Sequence, residues 1–325
     1  MISVPVSPPL SLSDLRAALP EWEAFERFYA QTLRSAVYKN NWLLEKLGSF
    51  ILRRSGKKVR PLLLLYVAKA SGEVSHLSLL GATLIELLHN ATLIHDDVVD
   101  DSDYRRGFFS LRGLWGNRIA VLFGDWLLAR GLLLAMRYNA PELLYHTSEA
   151  VEALTEGELL QLKRMRTSSI SEAEYFEVIE KKTAALFRAA CGMGAWSAHT
   201  APEVIEHARE LGTAIGIAFQ IRDDLLDWSE SRLTGKPTDA DRKQKRFTLP
   251  LLWAFTQLSS KERLQLLRLP FSQARRMLDE MGAFRYAESV LDQYAKRAYQ
   301  VADRLPNSRA VPMKALIDLL IYRSQ

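Results

Sequence analysis

The chain has 325 residues, 48% of them hydrophobic and 25% charged, with 43 Lys and Arg against 38 Asp and Glu for a formal net charge of +5. This composition excludes a disordered or collagen-like chain and describes a water-soluble protein with ample core; the single cysteine, Cys191, excludes an internal disulfide and suits a reducing, cytoplasmic setting. The basic residues are scattered and carry no interleaved aromatic motif, so the charge points toward anionic small molecules or an anionic membrane surface, and nucleic acid is not an expected partner.

Residues 1–12, with Pro5, Pro8 and Pro9 and no basic region leading into an apolar core, read as an extended arm rather than a secretory signal. Helix-period stretches follow at about Glu21 to Leu52, Lys58 to Ser71, Leu77 to Asp100, Arg118 to Arg137, Pro141 to Lys163, Glu172 to Ala198, Pro202 to Asp227 and Leu249 to Thr256, with several more between Ser259 and Tyr322. Ser171 with Glu174 three residues on is a capping box, and Pro141 and Pro202 suit first helical turns. Period-two alternation with β-branched residues is scarce, which predicts an all-α fold. No linker, low-complexity tract or tandem repeat interrupts it, so one domain across residues 1–325 is expected. The longest apolar run, Pro61 to Ala68, falls far short of the roughly 20 residues of a membrane span, so no transmembrane segment is expected. The helical pattern breaks at Ser102 to Asn117 and Ser229 to Phe247, Arg-, Lys- and Gly-rich segments that would form loops at the mouth of whatever the helices enclose.

Each loop directly follows an acidic cluster: Asp96-Asp97-Val98-Val99-Asp100 and, 127 residues later, Asp223-Asp224-Leu225-Leu226-Asp227. Counted at 100° per residue, Leu80, Leu84, Leu87, Ala91, Ile94 and Val98 fall within about 40° of one direction, and His89, Asp96 and Asp100 within about 20° of the opposite one. On the second segment Gly216, Gln220, Asp223 and Asp227 share a face, with the glycine leaving room for something to approach. One cluster alone reads as a solvated helix end; two in apolar surroundings ask for cations. Carboxylates without cysteine make a hard-oxygen site, for which Mg2+ is the expected ion. Because Mg2+ prefers one or two protein carboxylates together with substrate phosphates, two carboxylate walls predict a diphosphate ligand. Separate basic elements agree: Gly56-Lys57-Lys58-Val59-Arg60, Arg105-Arg106, Lys182 and Lys236. No Gly-x-x-x-x-Gly-Lys-[Ser/Thr] loop is present, which sets aside P-loop nucleotidases.

In chain order, Gly56-Lys57-Lys58-Val59-Arg60-Pro61, Leu88-His89-Asn90-Ala91-Thr92-Leu93-Ile94-His95-Asp96-Asp97-Val98-Val99-Asp100, Arg105-Arg106-Gly107, Gly124-Asp125, Lys182-Thr183, Phe219-Gln220-Ile221-Arg222-Asp223-Asp224-Leu225-Leu226-Asp227, Gly235-Lys236 and Thr248-Leu249-Pro250 resemble the motifs of the trans-polyprenyl diphosphate synthases. The resemblance implies the isoprenoid synthase fold, a single-domain bundle of long helices around a central cavity, as a homodimer. It implies head-to-tail prenyl transfer, in which an allylic diphosphate ionises and isopentenyl diphosphate attacks the carbocation. On this reading Asp96, Asp100 and Asp223 ligate Mg2+, three ions per site with Mn2+ as the alternative, and Asp97, Asp224 and Asp227 act as ligands or supports. Arg105, Lys182 and Lys236 meet the allylic diphosphate; Lys57, Arg60, His89 and Arg106 meet isopentenyl diphosphate; Thr183 and Gln220 shape the space around the cation. The departing diphosphate takes the final proton. His95 keeps a structural role, and peripheral membrane contact is the expected route of product release.

The chain departs from the family pattern at Phe108-Phe109, where a pair ending in proline is commoner, at Arg112, and in the late loop at Asp239, Lys245 and Arg246, while Asp241 is retained. The alternatives weigh less. A terpene cyclase carries an Asn/Ser/Glu second motif and needs no isopentenyl site, a non-catalytic subunit tends to lose aspartates, and head-to-head condensing enzymes have differently composed aspartate motifs. Product length is read from Ala91 and Thr92, five and four residues before the first cluster. Both are small where farnesyl-type enzymes usually carry an aromatic, so the floor lies deeper, at Leu84, Leu87 or Leu88 or on a facing helix near Leu128 or Leu132. A product of about six to eight isoprene units, suited to a respiratory quinone side chain, is expected from the helix rise, with geranylgeranyl or farnesyl diphosphate as the shorter alternatives.

Overall fold

The computed structural model describes residues 10–37, 41–54, 56–105, 107–165, 170–229 and 247–322. Helix α1 (Leu12–Ala17) starts where the Ser11 hydroxyl accepts from the Asp14 amide and the Asp14 carboxylate accepts from the Ser11 amide. Leu12 is therefore already helical and not part of an extended arm. Residues 1–9 lie outside the described ones. The long helix expected from Glu21 to Leu52 is two, α2 (Glu21–Val37) and α3 (Trp42–Arg53), because the Asn41 side chain accepts from the Leu43 and Leu44 amides and starts a new helix.

Next come α4 (Val59–Ser71) and α5 (His76–Val99), the latter begun by a Ser75–Ser78 capping box. Helix α5 packs against α2, α4, α6, α7 and α9, so the stretch from Leu80 to Leu88 is buried on every side, Thr83 and Glu86 included. The single apolar face expected for it is too narrow: the polar direction opens only from His89 onward, toward the helix end. After the β1 (Tyr104–Arg105) and β2 (Phe108–Phe109) hairpin, α6 (Leu111–Arg137) runs back along α5. Its regular course starts beyond Gly116, whose φ of +78° breaks the first turns and accounts for the expected start at Arg118. Gly124 lies under the His95 ring, and Gly131 faces Leu84, so α6 approaches α5 closely at both points. His95 also meets Asp125 Oδ1 at 3.3 Å, as befits a structural residue.

Helix α7 (Pro141–Met165) is followed by α8 (Glu172–Ile179), a π turn (Glu180–Ala184) and α9 (Ala185–Ser197), where the sequence pattern predicts one helix. Helix α10 (Pro202–Asp227) packs along α9 and carries the second acidic cluster. The remaining helices are α11 (Leu249–Gln257), α12 (Ser260–Arg268), α13 (Phe271–Glu280), α14 (Ala283–Ala302) and α15 (Met313–Ile321). One large core runs from α1 to α15, and a smaller one gathers Trp228, Leu251, Phe255, Leu266 and Leu278. By length and hydropathy α5 and α6 are each long and apolar enough to cross a membrane, but α5 is mostly buried inside the bundle.

Between α7, α9 and α10 a half-buried polar network surrounds the buried His146. Arg209 donates to both Glu149 carboxylate oxygens at 2.8 Å and to His146 Nδ1 at 3.1 Å, with Arg188 at 3.3 Å from Glu149. Burial, reinforced by Arg209, pushes His146 down to about 4. The unfolded chain takes up a proton near pH 6.5 that the fold refuses, so this contribution to stability is complete above about 6.5 and lost as pH falls toward 4. Urea midpoints are expected to fall across that window, and His146→Gln, which keeps an acceptor for Arg209, is expected to flatten the slope. An equal slope in both proteins would contradict this.

Candidate active site

The first acidic cluster closes α5. Asp97 is 4% exposed and accepts from Arg105 Nε at 2.8 Å, while its backbone carbonyl accepts from the Ser102 amide at 2.8 Å, so this carboxylate ties the hairpin to the helix end. Burial pushes Asp97 up, and Arg105 pulls it back. Asp96 and Asp100 are half-buried. Burial pushes the Asp96 carboxyl up to about 6, against the opposing pull of Lys182 and Arg105, with Glu158 and Asp100 adding to the rise. A carboxylate desolvated among other carboxylates favours an arriving cation. One helical turn and more before it, His89 Nε2 lies 3.1 Å from Arg60 Nη1, and the Arg60 guanidinium lies 4.5 Å from the centre of the Phe187 ring. Lys57 is exposed just before α4, and its carbonyl accepts from Arg16.

The π turn forms the middle of the site, and glycines place it. A Cβ on Gly157 would come within 2.7 Å of the Lys182 backbone nitrogen, and one on Gly216 within 2.4 Å of Ala184 Cα. Helices α7 and α10 therefore press on this turn from both sides. What Gly216 admits is the backbone of Ala184. Lys182 is held by α7: its ammonium donates to Gln161 Oε1 at 3.2 Å and pairs with Glu158. Thr183, the next residue, reaches α10, donating to Gln220 Oε1 at 2.7 Å; Gln220 in turn donates to Asp224 Oδ1 at 3.0 Å. Asp224, 4% exposed, also accepts from the Tyr175 hydroxyl at 2.7 Å and from the Leu249 amide at 2.8 Å. Those bonds engage both of its oxygens, whereas Asp223 and Asp227 on the same helix are half-buried.

Lys182 and Thr183 thus join the α5 carboxylates electrostatically to the α10 cluster by hydrogen bonds. Among the expected site residues, Arg106 and Lys236 lie outside the described ones, as do Asp239, Asp241, Lys245 and Arg246. Ala91 and Leu88 are buried and Thr92 is half-buried, its hydroxyl bonded to the His89 carbonyl. Leu128 is half-buried, but Leu132 is 42% exposed and faces out of the bundle, which removes it as a floor for a tail. Glu158, Gln161 and Tyr175 are missing from the sequence reading. Glu158 and Gln161 sit three apart on α7, a spacing that marks a shared helix face without saying which lysine it meets.

Among the described residues no three His, Cys, Asp or Glu side chains converge tightly enough to enclose a metal ion. A divalent cation here would share its coordination with a bound ligand and water. That suits Mg2+ and the all-oxygen donors Asp96, Asp100, Asp223 and Asp227.

The family model described as Polyprenyl synthetase matches residues 41–281. The octaprenyl diphosphate synthase of Escherichia coli is 36% identical over 265 residues, covering 81% of this chain and 82% of that protein. Component 2 of the Bacillus subtilis heptaprenyl diphosphate synthase is 30% identical over 295 residues, covering 89% and 83%. The polyprenyl synthase of Caulobacter crescentus CB15, solved with calcium and isoprenyl diphosphate, superposes with a TM-score of 0.87 at 30% identity over 98% of this chain and 100% of that one. The all-helical bundle is the fold of those isoprenyl diphosphate synthases, and the chain belongs to the polyprenyl synthetase family of prenyltransferases.

Proposed function

We propose that the chain condenses an allylic prenyl diphosphate with isopentenyl diphosphate, head to tail, to give a long-chain all-trans polyprenyl diphosphate. The observation that carries this is the π turn, from which Lys182, held by Glu158 and Gln161, acts electrostatically on Asp96 while Thr183 joins the Gln220–Asp224 chain of the second cluster. The allylic C–O bond breaks heterolytically, the isopentenyl double bond attacks the allylic carbon, and the departing diphosphate takes the proton whose loss restores a double bond. Bound Mg2+, three ions with Mn2+ as the alternative, supplies Lewis-acid stabilisation of that leaving group, held by Asp96, Asp100, Asp223 and Asp227. Lys182 and Arg105, with Lys236 from the late loop, add fixed positive charge where the diphosphate separates. Asp224 and Asp97 support this machinery through hydrogen bonds and an ion pair. Arg60 and His89, with Lys57 and Arg106, take isopentenyl diphosphate, and Phe187 backs the Arg60 plane.

The working unit is a single domain across 1–325, acting as a cytoplasmic homodimer. Leu122, Leu133 and Met136 leave an exposed apolar row on α6 that supports contact with a second copy. The product suits a quinone side chain and leaves through peripheral membrane contact. Incubating the purified chain with isopentenyl diphosphate, an allylic primer and Mg2+, then sizing the dephosphorylated product, tests the reading. No product from the chain alone would favour the heteromeric arrangement suggested by its similarity to a protein named as a component.

Glu158 and Gln161 hold Lys182 in place on this reading. Glu158→Ala is expected to raise KM for the allylic substrate about tenfold with little change for isopentenyl diphosphate, and Glu158→Gln to recover part of the loss. Equal effects on both substrates would contradict the assignment.

A further inference from the structure

Helix α3 turns one row of side chains outward. Trp42, Lys46, Ser49 and Arg53 follow at i, i+4, i+7 and i+11, while Leu47 and Ile51 are buried and Leu43, Leu44 and Phe50 pack on the core. Trp42 is 66% exposed, with the Lys46 ammonium 5.0 Å from its ring centre. The hairpin continues this row. Arg54 lies over the rings of Phe50 at 4.6 Å and Phe108 at 5.1 Å and donates to the Phe109 carbonyl at 2.6 Å, which fastens β2 to the end of α3. Tyr104 and Phe109 are cross-strand partners with ring centres 4.5 Å apart. Tyr104, Phe108 and Phe109 are 60%, 63% and 45% exposed. Four exposed aromatic rings, Trp42 on α3 and Tyr104, Phe108 and Phe109 on the hairpin, thus flank Lys46, Arg53 and Arg54, with Phe108 on the Arg54 side of the hairpin and the Tyr104–Phe109 pair on the other.

The acidic groups around it do not cancel that charge. Asp101 and Asp103 share the one guanidinium of Arg112, at 2.9 and 2.8 Å, and Glu45 is exposed on α3, so Lys46, Arg53, Arg54 and Arg112 outnumber these acids by one. Rings with cations set among them match the boundary of a bilayer, where aromatic side chains settle at headgroup depth and Lys and Arg meet anionic lipid. Aromatic rings and arginine also occur at protein interfaces, but a second copy already has the apolar row Leu122, Leu133 and Met136 on α6, and Lys46, out of place at an interface centre, is accommodated by an anionic headgroup. We propose that the surface formed by α3 and the β1–β2 hairpin docks the protein onto an anionic bilayer. The hairpin follows Asp100 directly, so docking would set the mouth of the site at the lipid boundary, where a long apolar product leaves without crossing water. The proposal deepens the membrane contact named above and rests on that reading only for its purpose.

The test is co-sedimentation of the full chain with vesicles of phosphatidylcholine alone and of phosphatidylcholine with phosphatidylglycerol. The bound fraction is expected to be about fivefold higher on the anionic vesicles and to fall as salt is raised. Phe108→Ser with Phe109→Ser, and separately Lys46→Glu with Arg53→Glu, are each expected to cut that fraction about fivefold while the melting temperature and turnover of a water-soluble short primer stay at the starting level. Equal binding to both vesicles, none to either, or unchanged binding by both variants would overturn the proposal. So would conversion of a dimer to a monomer by the Phe pair, which would make the surface a contact between copies. Loss of prenyl transfer with lipid binding intact bears on the catalytic reading alone.

Discussion

Asp96→Ala and Asp223→Ala are each expected to lower turnover by about three orders of magnitude or more while leaving the fold intact, because in the proposed reaction each removes a carboxylate that acts through metal on the ionising diphosphate. Neither side chain is a fully buried structural acceptor. Asp224→Ala is expected to behave differently although it is the adjacent residue. It would strand the Tyr175 hydroxyl and the Leu249 amide, both interior donors, and release the half-buried Gln220 amide. An unsatisfied buried donor costs about 1–3 kcal/mol, so this variant should lose stability as well as activity. Turnover at saturating substrate, Mg2+ titrations and urea midpoints for the three variants distinguish the cases. Activity surviving chelation, or Asp224→Ala melting with the wild type while Asp223→Ala does not, would reverse the division of roles.

The second large effect concerns product size. Ala91 is wholly buried on α5 between the side chains that follow the helix down from Asp96, with Gly124 and Gly131 of α6 drawing the neighbouring helix close at either end of that stretch. The twelve residues from Asp96 to Leu84 span about 18 Å at the α-helical rise, enough for a tail well beyond farnesyl. A wild-type product longer than farnesyl is therefore expected, and one of about six to eight isoprene units requires the path to continue past Leu84. Ala91→Phe is expected to shorten it by occupying the path, at an overpacking cost of about 1–3 kcal/mol. Chromatography of the dephosphorylated alcohols reads the first effect and a thermal melt the second. A wild-type product no longer than farnesyl, or an unchanged product from a folded Ala91→Phe enzyme, would refute this account of the channel.

The helical fold and the acidic clusters were legible because both are local. Period and caps mark α4, α5 and α10, and the i, i+1, i+4 carboxylates repeat at each helix end. The split at Asn41 was also readable, since an Asn ahead of an apolar stretch is a recognised cap. The burial of Thr83 and Glu86 was not, because period alone reports one face and says nothing of how many neighbours a helix will have. Nor was the irregular turn from Glu180 to Ala184: Glu-Lys-Lys-Thr-Ala has no breaker, and its shape is imposed by contacts with Gly157 and Gly216, far away in sequence. The same distance hides the pairing of Lys182 with Glu158 and the saturation of Asp224.

That turn also fixes a phase. A π turn accommodates one residue more than the α-helical repeat, so everything after it is rotated by roughly 100° relative to an uninterrupted helix. Lys182 lies within the turn, and Phe187, the ring beneath Arg60, lies just after it. Deleting Lys181 would therefore leave Lys182, Thr183 and Phe187 all present, yet carry Phe187 away from Arg60 as Lys182 left Gln161. Lys182 and the Phe187 ring share a single angular reference, and a frame slip in the backbone would displace both at once.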